Sequence, residues 1–343
     1  MKILIATGIY PPDIGGPAQY TKGVEEAWRA QGHTVQVLSF GIERKLPTGI
    51  RHLYYFFRVL FSLPRADFVF SPDTFSAAIP AFFASKLFGK KIIIRTGGDF
   101  LWEWYVERTG DLALLRNFYQ TRVPQFNLKE RIIFCLVRFL FRYADAVIFS
   151  TLWQRDIFRQ PYTLNLEKCF VVENYYAPPT RQNYSDILKN NRIEKVFVGG
   201  TRELKWKNIQ RIKEAFSKLQ EKGLPVSLEL QTGSREQFLR GIESSYAVIL
   251  ASLGDISPNT ILEAISYGKP FILTRETGLH EKLKDIGVWV DPEDVDDIAA
   301  KIEWLASDAN YEIQSKKVEA FTFTHGWEDI TKEILAIYES LKL

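Results

Sequence analysis

Residues 255–273, DISPNTILEAISYGKPFIL, combine side chains and backbone groups suited to binding a phosphate. Ser257 is predicted to cap a helix that begins at Pro258, because a Ser hydroxyl accepts a backbone N–H and Pro has no N–H that needs a partner. The N–H groups of Asn259 and Thr260 would then lie at the positive end of the helix, where an anion binds favourably. The segment therefore predicts a phosphate site.

Two carboxylates, Asp255 and Glu263, lie on either side of this predicted helix start. Asp255 precedes the phosphate site, and Glu263 follows it by about one and a half turns of helix. Carboxylates in these places can accept hydrogen bonds from hydroxyl groups on both sides of a diphosphate. A nucleotide diphosphate sugar is such a ligand, and we expect one to bind here.

Two cations, Arg202 and Lys207, follow the predicted strand KVFVGG. Their offset places Arg202 on the loop after the strand and Lys207 at the start of the next helix. Together they can neutralise a diphosphate leaving group, Arg through two parallel hydrogen bonds and Lys as a point charge. Taken alone, the pair is also compatible with two solvated loop residues.

The first half of the chain offers two further candidate sites. Gly15 and Gly16 follow the first predicted strand and open a helix, where they either let backbone approach a ligand or form an ordinary tight turn. Their loop lacks the pattern G-x-G-x-x-G, which disfavours a nicotinamide enzyme. Asp99 follows the fourth predicted strand, where it either takes the proton of an acceptor hydroxyl or caps the next helix.

Strand and helix patterns alternate along both halves, which predicts parallel sheets covered by helices on both faces. Residues 177–185, rich in Pro, Asn and Ser, are typical of a linker. We therefore expect an α/β protein with two doubly wound, Rossmann-like domains, residues 1–178 and 179–322. Such domains bind ligands in a cleft at the C-terminal ends of their strands.

The composition is that of a globular protein, with 343 residues, 46% hydrophobic and 25% charged. Cys135 and Cys169 both lie in apolar surroundings, which indicates a reducing, cytoplasmic compartment and no disulfide framework. No segment reaches the ~18 apolar residues that a membrane span needs. These features favour a cytoplasmic enzyme with two cores.

Charge is distributed unevenly along the chain. Residues 1–172 hold 22 Lys and Arg against 14 Asp and Glu, a balance of +8, whereas the remainder has a balance of −5. Within the basic half, residues 51–65 and 131–143 are rich in aromatic side chains and Arg, typical either of core helices with exposed edges or of a surface on anionic lipid. Nucleic acid is disfavoured as a partner, because no basic stripe with interleaved stacking aromatics occurs.

Several of these motifs together resemble the retaining glycosyltransferases of family 4. Asp255 and Glu263 match the family's Glu-x7-Glu motif with Asp in the first place, and Arg202 and Lys207 match its Arg-x4-Lys clamp. GIYPPDIGGPAQY is similar to its N-terminal glycine loop, and ADAVIFS, VVEN and HGWEDITKEILAIYESL match in place and order. The resemblance covers nearly the whole chain and implies the GT-B fold, with residues 323–343 crossing back onto the first domain.

The resemblance also implies an activity, the transfer of a hexose with retention from a nucleotide diphosphate sugar to an acceptor hydroxyl. The acceptor would be a lipid-linked or cell-surface glycan precursor, at the inner face of a membrane. Glu263 would bind ribose hydroxyls, and Asp255 would meet the transferred sugar. Many family members have a His near residues 97–99, where this chain has Gly-Gly-Asp. Some relatives share the Gly-Asp-x-x-Trp-Glu element found at residues 98–103.

No metal or other cofactor is expected. The Asp-Val-Asp of residues 294–296 is not expected to bind a metal ion, because Asp291 is predicted to cap a helix that begins at Pro292 and has Glu293 and Asp294 in its first turn. The four His residues show no ligand spacing. A nucleotide-sugar-binding protein that has lost catalysis remains an alternative, because Asp255 replaces Glu and the His is missing. A GT-B sugar epimerase is a third interpretation, although nothing suggests its acid and base.

Overall fold

The computed structural model describes residues 1–13, 15–179, 194–200, 203–230 and 233–342. Packing divides them into two compact units. The first unit consists of Met1–Leu101, Gln120–Asn174 and His325–Leu343, and the second of Trp102–Tyr119 and Tyr175–Thr324. Each unit contains one parallel sheet flanked by helices, which confirms the predicted α/β class.

The first unit is built on a six-stranded sheet with the strand order β2-β1-β3-β4-β5-β6, and every neighbouring pair is parallel. Its central strands are mostly apolar and almost entirely buried, because helices cover both faces of the sheet. The strands are β1 (Lys2–Thr7), β2 (Thr34–Ser39), β3 (Phe68–Ser71), β4 (Lys91–Thr96), β5 (Ala146–Phe149) and β6 (Cys169–Val171).

The described α-helices in this part of the chain are α1 (Gly16–Ala30), α2 (Thr48–Ser62), α3 (Ala78–Leu87), α4 (Phe100–Thr109), α5 (Leu115–Thr121), α6 (Leu128–Tyr143) and α7 (Leu152–Arg159). Most of α4 and α5 belongs to the second unit, where the ring of Trp102 lies 5.5 Å from that of Trp206 and the N–H of Leu115 donates to the carbonyl of Leu253 at 3.2 Å. The aromatic-rich segment between β4 and α6 therefore packs against residues that follow two strands of the second unit, namely Trp206 and Leu253.

The second unit is built on a five-stranded parallel sheet with the order β11-β10-β9-β7-β8. Its strands are β7 (Lys195–Gly199), β8 (Val226–Leu230), β9 (Ala247–Leu250), β10 (Phe271–Thr274) and β11 (Val288–Val290). Its later helices are α8 (Ile209–Glu221), α9 (Arg235–Ser244), α10 (Asn259–Ser266), α11 (His280–Leu283), α12 (Val295–Ala306) and α13 (Asp308–Glu319).

The last helix, α14 (Trp327–Ser340), belongs to the first unit and packs on α1. The ring of Trp327 meets that of Tyr20 edge-on, with centroids 5.6 Å apart. Gln31 Nε2 donates to Thr331 Oγ1 at 2.8 Å. A Cβ on Gly23 would lie 2.4 Å from the Trp327 ring, so glycine is required for this close packing.

Some helices begin later than their patterns predicted. The helical sequence pattern after β3 starts at Phe75, but α3 begins only at Ala78. One oxygen of Asp73 accepts the N–H groups of Phe75, Ala77 and Ala78 at 2.9–3.0 Å and first folds the chain into a turn. The helix α7 was not predicted at all. Side-chain hydrogen bonds of this kind compete locally with helix formation.

Candidate active site

The candidate residues of the second unit lie on loops at one edge of its sheet. Lys207 follows β7, and Asp255 follows β9. Because β7 and β9 are parallel neighbours, their C-terminal ends and the loops after them lie side by side. Arg202, the predicted partner of Lys207, lies outside the described residues.

A salt bridge joins two of the predicted residues. Lys207 Nζ lies 2.7 Å from Asp255 Oδ2, and the two side chains are only 16% and 11% exposed. Ser252 Oγ donates to the same oxygen at 3.1 Å, and the ammonium group of Lys207 lies 4.2 Å from the centre of the Trp206 ring. The proposed diphosphate cation and the proposed catalytic carboxylate therefore contact each other directly.

The backbone of Asp255 is held by the loop after β10. Its N–H donates to the carbonyl of Glu276 at 2.8 Å, and its carbonyl accepts the N–H of Gly278 at 3.3 Å. Asp255 and Thr277 form an isolated parallel bridge. The carboxylate is thus attached to a short extension of the sheet, which limits its movement.

The turn that carries Lys207 is held by Asn208. This residue has left-handed backbone dihedrals, with φ 61°, which Asn tolerates better than most residues. Its buried side-chain amide donates to the carbonyls of Ala251 and Pro292 at 2.9 and 2.7 Å. The amide therefore joins the Lys207 turn to the segment that leads to Asp255.

The predicted phosphate-binding helix is α10, but its start is one residue later than expected. Pro258, not Ser257, occupies the cap position, with ψ 110°, and its carbonyl accepts the N–H of Leu262 at 3.3 Å. Asn259 and Thr260 occupy the first two helical positions, whose N–H groups have no acceptor within a helix. Both residues therefore still lie at the positive end of the helix.

Glu263 lies one turn into α10, where Arg235 is its partner. Arg235 Nη2 is 2.7 Å from Glu263 Oε1, and the Glu263 side chain is 14% exposed. Burial raises the pKa of the Glu263 carboxyl, and the charge and hydrogen bond of Arg235 oppose that rise. Nothing in the sequence spacing pointed to Arg235, which begins a different helix 28 positions earlier.

A third carboxylate next to Asp255, Glu276, was also missed by the sequence analysis. Its Oε1 lies 3.0 Å from Arg116 Nη2, while its Oε2 is buried and has no hydrogen-bond partner among the described residues. Burial raises the pKa of Glu276, and Arg116 lowers it in part. An unsatisfied carboxylate oxygen beside Asp255 is suited to accept a hydrogen bond from a sugar hydroxyl.

The raised pKa of Glu276 predicts a pH dependence of stability. The folded state keeps this proton to a higher pH than the unfolded chain, whose carboxyl titrates near 4.5, so stability falls as pH rises through that window. Glu276→Gln removes the titration. We therefore expect the melting temperature of Glu276→Gln, relative to the parent, to increase from pH 4 to pH 7. A difference that stays constant across this range would contradict the assignment.

The candidates of the first unit lie on loops after β1 and β4. Gly15 has φ 154° and ψ 157°, a conformation that is essentially restricted to glycine, and Gly16 is the first residue of α1. Asp99 lies between β4 and α4 and is 4% exposed. The structure thus places Gly15 and Gly16 at a strand-to-helix turn as predicted, with a backbone that requires glycine at position 15.

The Asp-rich segment is a helix cap, although not in the predicted register. Asp294, rather than Asp291, caps α12, and its Oδ1 accepts the N–H groups of Asp296 and Asp297 at 2.9 and 3.1 Å. The described residues contain no group of three or more His, Cys, Asp or Glu that could hold a metal ion. None of their helices has the length and apolarity needed to cross a bilayer.

Residues 187–308 match the family model described as glycosyl transferases group 1. A curated relative, O-antigen chain mannosyltransferase B of Escherichia coli, is 37% identical over 82 residues. That match spans 24% of this chain and 22% of the length of the relative. It is therefore a local similarity.

Solved structures match over almost the whole chain. HepE of Anabaena, in complex with UDP, aligns with a TM-score of 0.66 and 15% identity over 99% of this chain and 100% of that chain. Sucrose-phosphate synthase of Thermosynechococcus elongatus aligns with a TM-score of 0.71 and 14% identity over 99% and 98%. Identities this low establish the fold alone. The chain therefore has the GT-B fold of these structures, and residues 187–308 are similar to the glycosyl transferases group 1.

Proposed function

We propose that the protein transfers a hexose, with retention and without a metal ion, from a nucleotide diphosphate sugar to an acceptor hydroxyl. The observation that carries the proposal is the contact between Lys207 and Asp255 at the sheet edge from which α10 begins. A cation, a carboxylate and a helix N-terminus close together are the groups needed to hold a diphosphate and the sugar attached to it.

Each group has a proposed task in the transfer. Lys207, with Arg202, and the start of α10 take up the charge that develops on the diphosphate as its bond to the sugar C1 breaks. Glu263, held by Arg235, accepts hydrogen bonds from ribose hydroxyls. Asp255 meets the sugar and stabilises its developing positive charge. The electron pair of the broken bond leaves with the diphosphate.

The acceptor is assigned to the first unit. We propose that Asp99 takes the proton of the acceptor hydroxyl as its oxygen bonds to C1, and that Gly15 and Gly16 let backbone approach a ligand. The mannosyltransferase relative is named for an O-antigen chain, and the HepE structure contains UDP. These names support a nucleotide sugar as donor and a lipid-linked or cell-surface glycan precursor, met at the cytoplasmic face of a membrane, as acceptor.

A second candidate is a nucleotide-sugar-binding protein without turnover. Its motivation is Asp255 itself, which replaces the Glu of the resembling family and is neutralised by Lys207. A carboxylate in a tight ion pair stabilises an oxocarbenium ion less than an unpaired one. Both candidates bind the same ligand, so only turnover separates them.

Incubation with a panel of nucleotide sugars tests the proposal. For at least one donor we expect release of nucleotide diphosphate and a higher melting temperature, both with and without EDTA, because fixed cations take the place of a metal ion. Melting shifts without nucleotide release from any donor would favour the binding protein. Activity that EDTA abolishes and magnesium or manganese restores would contradict metal independence.

A further inference from the structure

Three helices of the first unit expose an unusual amount of apolar surface. On α2, α3 and α6, the side chains that point inward are fully buried, as with Tyr55, Val59 and Leu140. The same helices also carry large apolar side chains that are 39–78% exposed. We call these residues the aromatic face: Ile50, Leu53, Tyr54, Phe57, Phe61, Phe83, Leu87, Leu128, Ile132, Phe139 and Tyr143.

The aromatic face spans three neighbouring helices. α3 packs against both α2 and α6. The rings of Phe83 and Phe139, on α3 and α6, are stacked with centroids 5.9 Å apart, and Phe139 also contacts Tyr143. On α2, Phe57 stacks on Phe61 at 6.5 Å. A patch of this kind on a globular domain marks a site of interaction.

The charges around this face are almost all positive. By sequence, Glu130 is the one carboxylate among the three helices, and it is buried in the capping box of α6. Exposed cations border the aromatic side chains: Lys86, Lys129, Arg131, Arg138 and Arg142. Asp145, just after α6, pairs with Lys86 and Lys91 and balances part of this charge.

We propose that the aromatic face docks on the surface of an anionic lipid bilayer. Aromatic and aliphatic side chains would enter the boundary between headgroups and acyl chains, while Lys and Arg reach the lipid phosphates. Charge complementarity selects this occupant. A second copy of the chain would place like charges opposite each other across a two-fold interface.

The proposed docking goes beyond the transfer reaction. None of the residues assigned to the donor or to the acceptor proton belongs to α2, α3 or α6. Binding to vesicles can therefore be measured without turnover, and it can fail while the proposed activity holds. The proposed activity can likewise fail while the protein still binds to vesicles.

Co-sedimentation of the full chain with lipid vesicles tests the proposal. We expect binding to vesicles of phosphatidylcholine mixed with phosphatidylglycerol, at least about tenfold weaker binding to phosphatidylcholine alone, and weaker binding as salt increases. Phe61→Glu should lower the affinity for the mixed vesicles by at least about tenfold, because it removes a large apolar group and adds a negative charge. Arg138→Glu with Arg142→Glu should have a similar effect.

Ile313→Glu is the matched control, because Ile313 is 52% exposed on α13 of the second unit and the substitution makes the same kind of change. It should bind the mixed vesicles like the parent. Melting temperatures would verify that all variants are folded, as expected for exposed positions. The proposal is overturned if the parent does not bind, if Phe61→Glu binds equally well, or if the parent forms a dimer that Phe61→Glu disrupts.

Discussion

Asp255→Ala should lower sugar transfer by roughly two to three decades while the protein still binds nucleotide diphosphate. The variant lacks the carboxylate proposed to stabilise the sugar, but it keeps Glu263 and the start of α10. It also releases Lys207 from the ion pair, so the affinity for nucleotide diphosphate should stay equal or rise. Product formation and calorimetric titration of the diphosphate, measured on the same preparations, give the two quantities.

Asp255→Glu is the second variant to measure, because it places at this position the residue that the resembling family has there. It should retain activity or increase it, provided that the longer side chain still reaches Lys207. Full transfer by Asp255→Ala would remove Asp255 from the mechanism and leave Asp99 as the better candidate for catalysis. A parent without turnover, with both variants binding like it, would instead indicate the binding protein.

Lys207→Ala should reduce kcat more than it weakens donor binding. The charge that Lys207 meets grows as the bond to the diphosphate breaks, so its loss is felt most in the transition state. Loss of one charge-assisted contact in a partly buried site should cost about 3–4 kcal/mol, or two to three decades in rate. Steady-state kinetics that separate kcat from KM would measure this effect.

Lys205→Ala provides the control from the same turn. Lys205 is exposed, and its ammonium group donates to the carbonyl of Glu107 at 2.9 Å rather than to a carboxylate of the site. This variant should keep kcat close to that of the parent. Equal losses in Lys205→Ala and Lys207→Ala would point to the fold of the turn, and unchanged turnover in Lys207→Ala would exclude the proposed role.

The sheets could be predicted from the sequence because their strands are short apolar runs bounded by turn residues. β4 coincides with the run KIIIRT at Lys91–Thr96, and β10 is the buried run FILT at Phe271–Thr274. Helix starts were less predictable, since the choice among neighbouring caps depends on local side-chain hydrogen bonds. Asp294 rather than Asp291 caps α12 for this reason, and Asp73 delays α3.

The pairing of site residues could not be predicted in the same way. Spacing identified Lys207 and Asp255 separately, but they are 48 positions apart, and only the strand order β9-β7 brings their loops together. Neither Arg235 nor Glu276 belongs to a sequence motif that would have identified it as a site residue. Their proximity to Glu263 and Asp255 arises from the packing of separate loops, which periodicity in a single sequence does not contain.

The hydrogen bonds of Asn208 affect how this protein could diverge in evolution. One buried amide connects the Lys207 turn with Ala251, four residues before Asp255, and with Pro292. A mutation at position 208 would therefore displace the cation and the carboxylate together. The effects of later mutations at either site would depend on which residue occupies position 208. Evolution towards a new donor would have to alter these loops in concert, which makes the accessible mutational paths few and strongly epistatic.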